Sequence, residues 1–173
     1  MNFIGVAATE KDEDYIIKKI EEKLKNKSVK VISINNNSIE NIKNVKFETV
    51  VIDDILINNK NTNMQKNKEI LKSIINNSKN IILNSDIIEN LDMVKNLNLS
   101  IVTYGFNSKA TITMSSLNDD NMLVCLQRNI KIIDGSVVEQ QEVNIELEEV
   151  VRRINNTKRL GMLAISLFYT GKM

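Results

Sequence analysis

The chain has 173 residues and a mass of 19.7 kDa, enough for one well-buried domain and too little for two independent ones. Lys and Arg total 23 against 22 Asp and Glu, a net charge of +1 with the two signs interspersed, which argues against nucleic acid and anionic membrane as partners. Histidine is absent, which excludes histidine-dependent triads and histidine-ligated zinc.

The one cysteine, Cys125, sits in the apolar run Met122-Leu123-Val124-Cys125-Leu126, so no disulfide forms within the chain and a buried core thiol in a reducing cytoplasm is expected. No basic segment leads into a long apolar stretch, and no stretch reaches the about 18 apolar residues that span a bilayer, so a cytoplasmic protein without membrane contact is expected. The asparagine clusters Asn35 to Asn37, Asn58-Asn59 and Asn76-Asn77 are read as loops, since asparagine favours turns.

Phe3 to Ala8 reads as a short buried strand. Glu10-Lys11-Asp12-Glu13-Asp14 opens a helix that carries Ile16, Ile17, Ile20 and Leu24 at three- and four-residue spacing up to Lys25. Val29 to Ile34 is the second strand, and Phe47 to Asp54 a third that finishes on two carboxylates. A helix over Met64 to Asn76 precedes a fourth strand, Asn80 to Asp86. A short helix over Glu89 to Asn96 precedes a fifth, Leu99 to Tyr104. Strands alternating with helices imply a mainly parallel sheet with flanking helices, the Rossmann-like class of α/β fold.

After Gly105 the period changes to two. Ala110 to Ser115, Met122 to Arg128 and Glu142 to Leu147 read as an antiparallel meander, with a two-residue hairpin at Asp134-Gly135 between Lys131-Ile132-Ile133 and Ser136-Val137-Val138. A C-terminal helix, starting at about Glu148 or Thr157, runs to Tyr169 with Leu160, Leu163, Ala164, Leu167 and Phe168 as its apolar stripe. The organisation expected is a single domain: a parallel part over 1–108, antiparallel strands over 109–148 and the last helix over 149–173.

A strand, a glycine and a turn into a helix is the place where an α/β domain holds phosphate, because unpaired N–H groups at a helix start favour an anion. In this chain that place carries carboxylates. Their ordinary role is capping: Thr9 three residues before Asp12 resembles a capping box, and acidic first-turn residues offset the helix dipole by roughly 0.3–1 kcal/mol each. The alternative is a divalent-cation site shared with Asp53 and Asp54 at a neighbouring strand end.

The order of elements, with Ile81-Ile82-Leu83-Asn84-Ser85-Asp86, Thr103-Tyr104-Gly105-Phe106-Asn107 and Leu163-Ala164-Ile165-Ser166, resembles the central, ATP-binding domain of the Mur ligase family, whose members join amino acids to cell-wall precursors. The first stretch resembles the family's "hydrophobic-N-x-D" strand, the second its "TYG" strand end, the third the helix after its "HN" motif. The resemblance implies a domain that binds ATP and Mg²⁺, with a phosphate loop of the form G-x-T-G-T-N-G-K-[ST]-T.

Here the chain departs from the family. With Gly5 on the first glycine, Thr9 keeps its place, but Ala8 and Lys11 fall on the later glycines, Asp12 on the lysine and Glu13 on the hydroxyl. Two like charges about 4 Å apart repel by about 4 kcal/mol at a near-surface dielectric, so a triphosphate would be opposed there. Asp53 falls near the family's Mg²⁺ ligand, and Lys66 or Lys68 near its active-site lysine, although a solvated helix face accounts for both lysines. Asn155 and Asn156 stand where the first part of the adenine motif "HNxxN" would fall, with Arg159 or Leu160 in place of its second asparagine. The family's leading substrate domain and trailing amino-acid domain have no counterpart in this stretch.

These departures lead to the expectation of a non-catalytic Mur-ligase-like module that has lost ATP and Mg²⁺ binding and acts by binding itself or another protein. The alternatives are a nucleotide-fold subunit of a multi-chain ATP-dependent amide ligase in cell-wall precursor metabolism, using Asp53, Asn84 and Asp86, and a small-molecule binder with a Rossmann-like crevice.

Overall fold

The computed structural model describes residues 2–8, 10–54, 64–147 and 155–173, with the side chains at 10–12, 15 and 64 outside that description. In chain order the elements are β1 (Asn2–Ala7), α1 (Glu10–Lys23), β2 (Val29–Ser33), α2 (Ile39–Ile42), β3 (Thr49–Ile52) and α3 (Met64–Asn76). Next come β4 (Asn80–Asn84), α4 (Ile88–Val94), β5 (Ser100–Tyr104), β6 (Ile112–Leu117) and β7 (Asn121–Leu126). The chain closes with β8 (Ile130–Lys131), β9 (Val137–Val138), β10 (Gln141–Glu146) and α5 (Asn156–Thr170).

Eight strands form one sheet in the order β10-β7-β6-β5-β4-β3-β1-β2. β1 to β5 are parallel, and β6 continues the set through the single pair Tyr104↔Ile112 before β7 and β10 add antiparallel strands. The central strands are apolar on both faces because helices cover both faces of a parallel sheet. Successive side chains divide between them. Val6, Val51, Ile82 and Val102 pack with Ile16, Ile20 and Leu24 of the α1 side and Leu160, Leu163, Leu167 and Phe168 of α5. Val50, Ile52, Ile81 and Leu83 pack with Ile39 of α2, Leu71, Ile74 and Ile75 of α3 and Met93 and Val94 of α4. Each fully buried aliphatic side chain here contributes roughly 1.5–3 kcal/mol of transfer free energy.

α5 is placed by its ends. The Asn155 side chain accepts from Thr157 N, Gly171 takes φ 71° while its N–H returns to Leu167 O, and Tyr169 Oη donates to Thr49 Oγ1 of β3 at 2.7 Å.

The antiparallel part differs from the expected meander in two ways. β8 and β9 form a separate two-stranded ribbon, paired Lys131↔Val137, so five residues rather than two connect them. The side chain of Ile132 is drawn into the core while its N–H still reaches Ser136 O at 2.9 Å, and Ile133 N donates instead to Phe168 O of α5, which ends the ribbon at Lys131. Gly135, at φ 89°, then closes the loop with its N–H on Ile132 O.

Cys125 is the second correction. It is half-buried, and its Sγ donates to Glu142 Oε1 at 3.2 Å. β7 alternates, with Met122, Val124 and Leu126 inward, so Cys125 falls on the opposite face.

The loop after β2 contains α2, a four-residue helix absent from the sequence reading; it forms after Asn35 Oδ1 has accepted from the N–H groups of Asn37 and Ser38. Asn58-Asn59 lies outside the described residues.

Candidate functional site

The parallel strands all point their C-terminal ends to one edge of the sheet, where open α/β folds bind ligands. Gly5 lies inside β1, paired to Ile32 and Val50, and is required by packing: a Cβ on it would come within 2.5 Å of Ile34 Cδ1 and 3.1 Å of the Phe47 ring. Ala8, just past β1, is fully buried. Glu13, four residues into the acidic turn, is 6% exposed and accepts from Asn35 Nδ2 at 3.2 and 3.4 Å. Asn35 Nδ2 also donates to Ser33 Oγ at 2.9 Å, so Glu13 is tied to the end of β2. Thr9, with its capping reading, lies outside the described residues, as do the side chains of Lys11 and Asp12.

The next three strand ends are joined by polar side chains. Asp53 follows β3, is 6% exposed, and accepts from Tyr104 Oη at 2.8 Å. Burial, reinforced by the charges of Asp53, Asp54 and Asp86 and by the bond to Asp53, pushes the Tyr104 hydroxyl well above the ordinary tyrosine range, so it remains a donor. Asn90 of α4 is fully buried, and its Nδ2 donates to the backbone oxygens of both Asp53 (3.2 Å) and Asn84 (2.9 Å).

Asn84 Oδ1 accepts from Asp86 N at 3.0 Å. The Asp86 carboxylate accepts from Phe106 N at 2.7 Å, Asn107 N at 3.1 Å and Asn107 Nδ2 at 2.9 Å, which fixes the loop after β5. Only glycine suits position 105: its φ is 155°, and a Cβ would meet the Asp86 carboxylate at 2.6 Å.

The structure therefore brings Asp53, Asn84 and Asp86 to adjacent strand ends, with half-buried Asp54 following Asp53. Each of the three has intramolecular partners. Among the described residues no cluster of three or more acidic or cysteine side chains has the geometry to hold a metal ion. Sequence reasoning missed Asn90 and the hydroxyl of Tyr104 as members of this edge. Asn90 carried no signal beyond a polar residue between Ile88 and Leu91, and Tyr104 was visible only as a strand-ending tyrosine.

Elsewhere, Asn155 is occupied as the α5 N-cap and Asn156 Oδ1 accepts from Arg159 Nη1 at 2.8 Å. Both asparagines line an open groove with Leu117, Asn118 and Asp119. Lys66 pairs with Glu40 at 3.1 Å on the surface, and Lys68 is exposed on α3. A cavity of about 320 Å³ lies between α1, β10 and α5, floored by Met122, Ile145, Met162 and Leu163. None of the strand-edge residues lines it.

With this geometry in view, comparison with solved structures shows what the fold resembles. The chain is similar to MurF ligase from Thermotoga maritima, determined in complex with ADP, with a TM-score of 0.61 and 11% identity over 96% of this chain. It spans 44% of that ligase's length. A flavodoxin from Fusobacterium nucleatum bound to flavin mononucleotide aligns over the whole of both chains at 17% identity with a TM-score of 0.46. CapF in complex with an inhibitor aligns over all of this chain and 64% of its own at 11% identity and a TM-score of 0.40. No family model and no curated protein sequence matches the chain. The α/β fold is thus Mur ligase-like, and identities this low describe the fold alone. No described helix is long and apolar enough to cross a membrane.

Proposed function

We propose that this is a non-catalytic Mur-ligase-like protein that has lost ATP and Mg²⁺ binding and works as a binding module. The observation that carries the reading is Glu13. In the first turn of α1, beside the place where a nucleotide-binding relative would hold phosphate, this chain has a buried carboxylate bonded to Asn35. An ionised carboxylate there would repel an arriving phosphate. The carboxylates of Asp53 and Asp86 support the same reading, since both hold the fold's own loops and strands together.

Titration calorimetry and thermal shift with Mg²⁺-ATP test this. The expected result is no binding heat and no change in Tm. A ligand present at about 100 times its Kd would add about 2.7 kcal/mol of stability and raise Tm by several degrees, so micromolar binding would be plain and would overturn the proposal.

A second reading, in which Asp53, Asn84 and Asp86 serve ATP-dependent ligation together with another chain, is favoured by their position on neighbouring strand ends. ATP turnover in a complex purified from native cells, lost on Asp53→Asn, would establish it.

A further inference from the structure

The cavity of about 320 Å³ between α1, β10 and α5 lies apart from the strand edge and has a different chemistry. Its apolar wall is Met122 of β7, Ile145 of β10, Leu147 just after that strand, and Met162 and Leu163 of α5, all buried or half-buried. Small-molecule sites have this character: a few hundred Å³ of mostly apolar lining with a small number of placed polar groups. Two of these wall residues are methionines, whose unbranched chains adapt to an occupant. At roughly 30 Å³ for each water-sized atom, the space takes about ten non-hydrogen atoms.

The charged side chains at the cavity sort by depth. Glu22, Lys23 and Glu146 are exposed, and half-buried Lys19 pairs with Glu22 at 2.8 Å, so the rim carries two acids and two bases. Arg159, 5% exposed, is the buried ion of the lining. The inner charge is therefore a cation beside an apolar wall.

Arg159 is also held and placed for an anion. Its Nη1 donates to Asn156 Oδ1 at 2.8 Å, which fixes the plane of the guanidinium. A guanidinium has five N–H donors in that plane, enough for an asparagine and a carboxylate together. Arg159 closes the first turn of α5, which has no acidic residue, so the positive end of the helix dipole adds to the attraction for a negative group.

We propose that the cavity between α1, β10 and α5 binds a small amphipathic monocarboxylate of about ten non-hydrogen atoms, its carboxylate on Arg159 and its apolar body against Met122, Ile145 and Met162. The inference stands apart from the ATP reading, because no residue of the strand edge lines the cavity.

Amide NMR titration of the isotope-labelled chain tests it, with octanoate, which has that size, as the probe. Octanoate shifts the amides of Ile145 to Leu147 and of Arg159 to Leu163. Octylammonium, with the same chain and the opposite charge, and acetate, with the same head and no long chain, do not. Arg159→Gln weakens octanoate by about ten-fold, as loss of a charge-assisted hydrogen bond does. Should that variant fail to fold, Met162→Phe carries the test: it fills the cavity from α5, keeps Arg159, and abolishes the octanoate shifts while the chain still melts cooperatively. No shift at these amides in millimolar octanoate, equal shifts with octylammonium, or octanoate binding unchanged by Arg159→Gln or by Met162→Phe overturns the proposal. Displacement of octanoate by Mg²⁺-ATP also overturns it, since Arg159 then serves a nucleotide. ATP binding that leaves the octanoate shifts in place upholds the cavity site and removes only the reading that ATP binding is lost.

Discussion

Tyr104 Oη donates to Asp53 Oδ1 at 2.8 Å, which joins residues 51 positions apart at the ends of β5 and β3 with β4 between them. Both groups are buried, so the bond is made where water cannot replace it. Tyr104→Phe removes the donor and leaves Asp53 short of a partner that the fold had supplied. The expected loss is about 1–3 kcal/mol, read as a lower urea midpoint with an unchanged slope.

The same hydroxyl sets a response to alkali. Its pKa is raised in the folded protein, so the unfolded chain loses its proton first as pH passes about 10. The Tyr104 contribution is fully present below that pH and is lost as pH rises toward the folded value. The slope is roughly 1.4 kcal/mol per pH unit for one group. Tyr169, also raised by burial, behaves in the same direction. Urea unfolding from about pH 8 to about pH 11 checks this: Tyr104→Phe declines less steeply than the parent.

Gly161 lies in the interior of α5, where alanine ordinarily stabilises a helix by about 1 kcal/mol. Here a Cβ would stand 2.9 Å from Tyr104 Cζ and 3.0 Å from its hydroxyl oxygen, and the ring cannot retreat without leaving Asp53. Overpacking of this kind costs about 1–3 kcal/mol, so Gly161→Ala is expected to lower Tm despite its better propensity. Calorimetric melting of the two proteins decides it.

The parallel sheet was legible because each of its strands is a run rich in β-branched residues between turn signals, and α3 because Ile70, Leu71, Ile74 and Ile75 repeat at helical spacing. α2 was not legible: it is four residues long and buries Ile39 alone, below any periodic signal. Cys125 was misread because Met122 to Leu126 is apolar on both faces of β7, and only pairing with β10 shows which face Glu142 shares. At the strand edge, Asp53, Asn84 and Asp86 were visible as polar residues ending strands. Their partners were not, because Tyr104 reaches Asp53 only when β3, β4 and β5 all pair in register, and Asn107 reaches Asp86 only when β4 and β5 do.

Asp86 holds the loop 105–107 from outside the core. Asp86→Ala removes the acceptor for the N–H groups of Phe106 and Asn107, with little change in apolar burial because the residue is exposed. Global stability is expected to fall by no more than about 1 kcal/mol, with solvent weakening the charge term. The local effect is larger: amide exchange at Phe106 and Asn107 accelerates while the β4 and β5 amides keep their protection. Uniform acceleration across the sheet would show that Asp86 supports the whole fold.

The thiol of Cys125 is held above its ordinary pKa, first by burial and then by the hydrogen bond to Glu142 and its charge. The thiolate is the reactive form, so alkylation by iodoacetamide at mildly alkaline pH is slow compared with an unstructured cysteine. Glu142→Gln removes the negative charge but leaves an acceptor of similar shape, and it lowers the energy of the thiolate without changing the packing of β7 against β10. A few-fold faster alkylation is expected, with Tm nearly unchanged because Glu142 lies on the exposed face of the edge strand. An unchanged rate would assign the suppression to burial alone, and a faster rate with a large fall in Tm would mean that opening of β10, rather than its charge, exposes the thiol.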